Sequence, residues 1–317
     1  MHDLVIIGAA AAGSSAAIYA ARRNLDVIIV SKDIGGEVAL SGEVENWPSV
    51  PKINGFELSQ LFYKHVQEYN VPIEQGAEVT KIEQKNNYHI VHTKDLAGNE
   101  KTHETKAVIV ASGIHPRQLD LPSEKKLRGK GVTYCTVCDG PLFKGKTTAT
   151  IGAGNAAVES ALMMSDIAEK VYLVTKYGRE DINGGFPRAE TILVDKVKAK
   201  NNVEVIYNAK TTAIIGEESV IGITYTDTKT EEDKKIDVSG VMVHIGMVPN
   251  SDFIDCPKKL PSGEIEVDNT CRTSCTGIFA AGDVTNIPYK QISIAVGHGA
   301  TAALAAIDYI NRWEAKE

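Results

Sequence analysis

Two thiols separated by two residues, Cys135-Thr136-Val137-Cys138, followed at once by Asp139 and Gly140, form the most chemically specific pattern in this 317-residue chain. That spacing closes the small ring of a redox dithiol, in which one thiolate attacks a disulfide and the second thiol resolves the mixed disulfide. Asp139 stands where it could carry a proton to or from a neighbouring sulfur, or simply cap a turn. A zinc site would need two further ligands. Cys271-x-x-x-Cys275 could supply them in principle, but it is not a second Cys-x-x-Cys, so a redox pair is favoured over zinc or inert thiols and no metal is expected. Cys271 and Cys275 read as structural or bystander thiols, and Cys256 beside Pro257 carries no signal of its own.

Two glycine turns supply the second kind of chemistry. Gly8-x-Ala10-x-x-Gly13 and Gly152-x-Gly154-x-x-Ala157 each follow a short apolar run and open a small-residue segment. In a dinucleotide site the first glycine permits the tight turn and the second lets backbone approach a pyrophosphate. The third lets helix and strand pack closely. Ala10 departs from that form in the first copy, and Ala157 takes the third position in the second. The residue ending the next strand, where an acid would bond an adenosine ribose, is Ser31 in one copy and Thr175 in the other, with Lys176 following as a candidate for a 2′-phosphate.

Elements to position these groups are legible around them. The pattern predicts strands at 4–7 and 27–30 flanking a helix at 14–23, then a helix at 55–68, strand-like segments at 71–73, 78–82 and 88–91, and a strand at 107–111. It restarts with strands at 148–151 and 171–174 around a helix at 158–166, a polar strand region at 211–237 and a strand at 240–245. A long Ala-rich helix is expected at 291–312. Gly8 and Gly152 lie 144 residues apart, as do Ser31 and Thr175, so a whole nucleotide-binding unit is repeated. The expected fold is α/β: two Rossmann-like, three-layer ββα nucleotide-binding domains, the second inserted into the first. Their boundaries are 1–114 and 246–317 for the first, 115–245 for the second. A single barrel would need about eight evenly spaced strand–helix units, and the polar strand regions break that rhythm.

Composition excludes other classes. With 34 Lys+Arg against 41 Asp+Glu the net charge is −7, and no basic run offers a nucleic-acid footprint. The N-terminus runs from Met1-His2-Asp3 straight into an apolar strand, without the basic region and longer apolar run of a secretory signal. Apolar stretches break before the roughly 20 residues needed to span a bilayer. A cytoplasmic chain without membrane or nucleic-acid partners is expected, and five cysteines are too few for a disulfide-built scaffold.

Gly8-Ala-Ala-Ala-Ala-Gly13, Glu45-Asn46-Trp47-Pro48, Cys135-Thr-Val-Cys138-Asp-Gly140, Gly152-Ala-Gly154-Asn155 and Gly282-Asp283-Val284-Thr285-Asn286 occur in that order. Together they resemble the low-molecular-weight thioredoxin reductase family over essentially the full length. The stretch from Tyr134 to Gly145 is also similar to the flavoprotein component of alkyl hydroperoxide reductase, whose additional N-terminal redox domain finds no room in this chain. The resemblance implies a homodimeric FAD enzyme. FAD would be met at Gly8, Ala12, Gly13, Ser31, Gly35, Gly36, Glu37, Asn46, Val79, Gly113, Gly282, Asp283 and Gln291, with Lys290, Gln291 and Ile292 near the isoalloxazine and the dimer partner. A nicotinamide nucleotide would be met at Gly152, Gly154, Asn155, Ala156, Glu159, Thr175 and Lys176. Electrons would pass from a reduced donor through flavin to the Cys135–Cys138 disulfide. Cys138 would be the flavin-facing sulfur, Cys135 the nucleophile toward thioredoxin or a similar small disulfide protein, and Asp139 the acid/base.

Two positions depart from the family pattern. Glu37 stands where the family usually has Gln. After Val174, NADPH-using members carry His-Arg-Arg-x-x-x-Arg, whereas this chain reads Thr175-Lys176-Tyr177-Gly178-Arg179, with Arg188 only beyond a glycine-containing segment. Without paired arginines to fork around a 2′-phosphate, NADH, NADPH, a reduced deazaflavin or another donor all stay open. The alternatives are an NADH-linked flavoprotein serving a peroxiredoxin or glutaredoxin-like partner, and a flavin-binding redox sensor with little turnover. The ferredoxin–NADP reductase subgroup of the fold lacks the dithiol, which argues against it.

Overall fold

Unbroken buried runs of branched apolar residues account for the central parallel strands of the two larger sheets, which are covered on two faces. The computed structural model describes residues 1–41 and 43–314. They form two compact units: one comprises Met1–Leu40, Glu45–His115 and the described residues from Val248 on, the other Pro116–Met247 with Ser41 and Val44.

In the first unit the sheet order is Ile73–Gln75, Val27–Ile34, His2–Ala9, Glu100–Val110, His89–Asp95, Ala77–Gln84, with Ile278–Ala280 pairing on Glu100–Val110. The strand Glu100–Val110 serves two masters along its length. Its apolar end runs parallel to His2–Ala9 (Val5 opposite Val108) and to Ile278–Ala280, while its polar start pairs antiparallel with His89–Asp95. The polar stretch before the expected strand at 107–111 is therefore also sheet, its alternation placing His103 and Thr105 inward. Val5, Ile7, Val30, Val108 and Val110 share one core with Val79, Ile82 and Val91. Leu4, Ile6 and Ile109 alternate to the other face and are fully buried. The helix Ala11–Ala21, small-sided except at Ile18 and Tyr19, starts inside the glycine turn, where Ser14 N already donates to Ala10 O, so it begins three residues earlier than the sequence suggested. Gly55–Gln67 is capped by Asn54, whose side chain accepts from Phe56 N.

One helix, Ile292–Asn311, is long and apolar enough by length and composition to cross a membrane. Its Ala/Gly face is buried within the first unit, where Gly299 lies so close to Ala12 O that a Cβ would sit 2.1 Å from it. His298 and Asp308 interrupt its apolar run, and its buried Ala/Gly face packs within the unit.

The second unit has three layers. A parallel sheet runs in the order Val132–Thr133, Gly240–Val243, Thr147–Ile151, Lys170–Val174, Val203–Ile206, and a separate antiparallel sheet comprises Ala209–Gly216, Val220–Asp227 and Asp233–Ile236. Alternation divides the residues between the layers. Val241, Val243, Ile151 and Val174 meet Ile214, Ile223 and Tyr225 of the antiparallel sheet. Met242, Val171 and Leu173 meet Val158, Ala161 and Met164 of the helix Asn155–Ser165, and Val194 and Val197 of Thr191–Lys198. Both units are thus α/β with parallel sheets, as the repeat implied.

Candidate active site

Cys135 and Cys138 are joined in a disulfide with Cα atoms 5.3 Å apart, Cys135 standing as N-cap of the one-turn helix Thr136–Asp139. Both are partly exposed. The turn is closed by Cys138 N and Asp139 N donating to Cys135 O at 3.2 and 3.0 Å. Thr133 fastens it from below: its hydroxyl accepts from Cys135 N at 3.1 Å and donates to the Asp139 carboxylate. Asp139, next to Cys138 in the chain, thus has an orienting donor. Tyr134 is anchored to Glu124, a fully buried carboxylate that also accepts from Leu119 N and Leu121 N. Sequence reading passed over Glu124, because a lone acid in a polar loop gives no signal until the chain wraps around it.

A buried polar chain lies under the dithiol turn. His244 Nε2 shares a 2.8 Å hydrogen bond with Thr136 Oγ1, which bonds Ser160 Oγ at 2.6 Å. Burial pushes His244 down to about 4, so the imidazole is neutral at pH 7. Unfolded, it titrates near 6.5, so the unfolded chain binds a proton that the folded one refuses between those values. Stability contributed by neutral His244 is complete above pH 6.5 and lost as pH falls toward 4, by about 3 kcal/mol in all. His89 in the first unit is likewise pushed down to about 4 by burial. Thermal melts of wild type and His244→Gln should therefore both lose stability from pH 6.5 to 4. The variant's loss should be smaller, the rest coming from other groups such as His89, and equal losses would show that His244 does not carry its share.

The two glycine turns are built alike. A Cβ on Gly8 would lie 2.4 Å from Ala111 O, and one on Gly152 would lie 2.2 Å from His244 O, so in each copy the first glycine admits the carbonyl of the neighbouring parallel strand's exit. Both have positive φ. Ser31 Oγ accepts from Ala9 N and donates to Asp33 O, and Thr175 Oγ1, 1% exposed, donates to Gly185 O and accepts from Tyr177 N. Each hydroxyl is engaged by backbone groups of its own unit. Around Thr175 the segment after Val174 folds back: Gly154 pairs with Arg188 as an isolated bridge, Asn155 accepts from Glu190 N at 2.7 Å, and Lys176 Nζ lies over the Tyr177 ring. Ala156 and Glu159 lie exposed on the first turns of the helix Asn155–Ser165.

In the first unit the residues expected around a flavin converge from three parts of the chain. Gly35 and Gly36, both at positive φ, open a short turn carrying Glu37, with Gly36 N donating to Asp33 Oδ1. Asn46 Nδ2 donates to Gln291 Oε1 at 3.1 Å, which joins two motifs 245 residues apart. Gly282 is packed against Ala12, and next to it Asp283 is pushed up to about 6 by burial, with Lys290 opposing and Glu37 adding to the rise. Lys290 is fixed through its Nζ to Thr285 O. An acid held in such surroundings suits the hydroxyl groups of a ribityl chain, and the cradle fits FAD. Ile292 opens the helix Ile292–Asn311 beside Gln291, and Gly113 has positive φ with open space around it. Val79 contributes its side chain to the core rather than to a surface.

Cys275 is bonded to Cys256, with Cα atoms 6.1 Å apart, while Cys271 is buried without a disulfide. Cys275 thus has a structural role of the kind expected for it, and Cys256, which carried no signal of its own in the sequence, is its partner. No short motif links positions 19 residues apart, so the pairing could not be read from spacing.

Residues 2–299 match the family model described as pyridine nucleotide-disulphide oxidoreductase. The chain is 38% identical over 313 residues to a component protein of alkyl hydroperoxide reductase from Escherichia coli (strain K12), covering 98% of this chain and 58% of that one, so it spans about three fifths of that relative's length. Among solved structures, thioredoxin reductase from Streptococcus pyogenes MGAS5005 superposes with a TM-score of 0.88 at 34% identity, covering 98% of both chains. A ferredoxin-flavin thioredoxin reductase from Clostridium acetobutylicum superposes with a TM-score of 0.52 at 27% identity, covering 98% of both chains. With the repeated glycine turns and the Cys135–Cys138 disulfide, these matches show that the chain belongs to the pyridine nucleotide-disulphide oxidoreductase family and is similar to the thioredoxin reductases and to this component of the alkyl hydroperoxide reductases.

Proposed function

We propose that the chain is an FAD-dependent reductase of small-protein disulfides, with thioredoxin or a protein like it as the partner. The observation that carries this reading is the partly exposed Cys135–Cys138 disulfide, held on a turn whose next residue, Asp139, is oriented by Thr133. Bound FAD supplies two-electron chemistry between a reduced donor and that disulfide. Cys138 takes the flavin-facing role and Cys135 attacks the partner's disulfide. Asp139 delivers the proton to the departing thiol, and the second cysteine then closes the ring again, returning two electrons to the partner. A panel of thioredoxin, glutaredoxin-like and peroxiredoxin-linked disulfide proteins, offered to the FAD-loaded enzyme, tests it. Turnover with thioredoxin supports the reading, and failure with every small disulfide protein would defeat it.

A second reading is favoured by the alkyl hydroperoxide reductase relative: electrons delivered to a peroxidase partner. The same panel decides between them. A homodimer in the cytoplasm belongs to the proposal, without membrane or nucleic-acid partners, and light scattering of the holoenzyme checks the dimer.

The donor is the least constrained part. Lys176 is an exposed single cation beside the Tyr177 ring, the Thr175 hydroxyl bonds Gly185 O, and no arginine pair follows Val174. NADPH and NADH should therefore reduce the bound flavin with rate constants within about tenfold of each other, an energetic difference under about 1.4 kcal/mol. Stopped-flow reduction without oxygen, with a reduced deazaflavin and a reduced ferredoxin in parallel, measures this. A hundredfold preference for NADPH would show a 2′-phosphate site that these residues do not provide. The ferredoxin-flavin relative is why a protein donor belongs in the comparison.

A further inference from the structure

The Cys256–Cys275 disulfide lies in the first unit and plays no part in the electron route through Cys135 and Cys138. Its two ends differ. Cys256 is exposed, whereas Cys275 is buried among Ile254, Ile265, Ile278 and Val284. The loop it closes contains Ile265, whose backbone brackets the turn carrying Asp283: Ile265 N donates to Val284 O at 2.9 Å and Ile265 O accepts from Asn286 N at 3.0 Å. Asn286 in turn accepts from Val267 N through its side chain. On the other side, Cys275 leads within three residues into the strand Ile278–Ala280, which delivers Gly282 and Asp283. The bridge therefore fastens both flanks of the Asp283 turn to one point.

We propose that Cys256–Cys275 is a second thiol–disulfide exchange site, opened by a dithiol, whose closure holds the Asp283 turn in the shape that retains FAD. The proposal rests on the reading of the first unit as the FAD site. A thiolate of the dithiol attacks the exposed Cys256 sulfur; the Cys256–Cys275 bond breaks, and Cys275 leaves and takes a proton. The second thiol of the dithiol then attacks the mixed disulfide, becoming oxidised and releasing Cys256 as a thiol. Two electrons and two protons pass from the dithiol to the pair. Attack at the Cys275 end is blocked by its packing. Cys271, the neighbouring buried thiol, is pushed up to about 11 by burial and stays protonated, so it does not compete as an internal nucleophile.

The test uses the FAD-loaded enzyme and dithiothreitol. Free thiols are alkylated and mapped by peptide mass after graded dithiothreitol, and flavin release is followed by its fluorescence after rapid dilution. A Cys256→Ser/Cys275→Ala variant, which keeps Cys135 and Cys138, is measured alongside. Untreated protein should show Cys256 and Cys275 protected, and opening them should raise the flavin release rate about tenfold, to the rate of the variant. Alkylation of both cysteines in untreated protein overturns the proposal, as does equal flavin retention by open and closed forms. If the variant does not fold, a Cys135→Ser/Cys138→Ser variant carried through the same dithiothreitol series decides, since Cys256–Cys275 is then the disulfide that opens. A protein that binds no FAD in either state overturns the cofactor reading instead, an outcome distinct from equal retention.

Discussion

Cys138→Ser should reduce turnover of the disulfide partner at least about a thousandfold while the bound flavin remains reducible by its donor. The reason is stoichiometric as well as kinetic. Serine cannot hold a disulfide with Cys135, so the protein loses the two-electron store between cofactor and partner, whereas the elements that would seat the flavin belong to the other unit and are untouched. Cys135→Ser should fail equally, since neither thiol alone completes exchange. Cys138→Ser leaves Cys135 as a lone nucleophile that should accumulate a mixed disulfide with the partner, visible by mass. Asp139→Asn removes only proton transfer and should cost about a hundredfold, with Thr133 still holding the amide in place. Stopped-flow spectra without oxygen, followed by partner turnover, separate these steps. Full turnover by Cys138→Ser would remove the pair from the electron route.

The largest effect on the folded state should come from Gly13→Ala. A Cβ there would lie 1.8 Å from Gly8 O and 2.9 Å from Gly8 C, both backbone atoms. Gly8 cannot retreat, because it has positive φ and lies against Ala111 O. Relief requires the helix Ala11–Ala21 to move off the strand His2–Ala9, which disturbs its packing with Ile292–Asn311 and the turn expected to meet the pyrophosphate. A cost of at least about 3 kcal/mol, at the upper end for overpacking, is expected together with loss of tightly held FAD. The control is Gly297→Ala in the helix Ile292–Asn311, where a Cβ meets nothing within 4 Å. There the better helix propensity of alanine should leave stability unchanged or raise it by up to about 1 kcal/mol. Denaturant melts and flavin content of the two variants give the comparison, and near-wild-type behaviour of Gly13→Ala would mean that the helix does not pack on the strand this closely.

Much of this was legible in residue order because it depends on local geometry. The 144-residue repeat predicted two βα turns, and both first glycines meet a neighbouring strand's carbonyl in the same way. The dithiol is readable for the same reason: two residues fix the ring size. What escaped depends on residues distant in sequence. His244, Thr136 and Ser160 come from a strand exit and two helices, and none is unusual where it stands in the chain. Cys256 and Cys275 are brought together by the fold around Ile265 rather than by a motif. The helix Thr191–Lys198 and strand Val203–Ile206 were missed because the positive-φ turn at Asn183 and Gly184 obscures the rhythm before them. The Ser31 and Thr175 hydroxyls were identified correctly as hydrogen-bonding groups, but their nearest partners are the backbone folding over them.

The central claim is that electrons leave this protein through Cys135 and Cys138. Its most direct test is alkylation mapping of the wild-type holoenzyme, sampled before reduction, after limited reduction without oxygen, and after addition of oxidised thioredoxin. Cys135 and Cys138 should be protected, then labelled, then protected again as thioredoxin thiols appear in equal number. Thioredoxin thiols appearing while this pair stays protected throughout, or no thioredoxin thiols once the pair is labelled, would contradict the account.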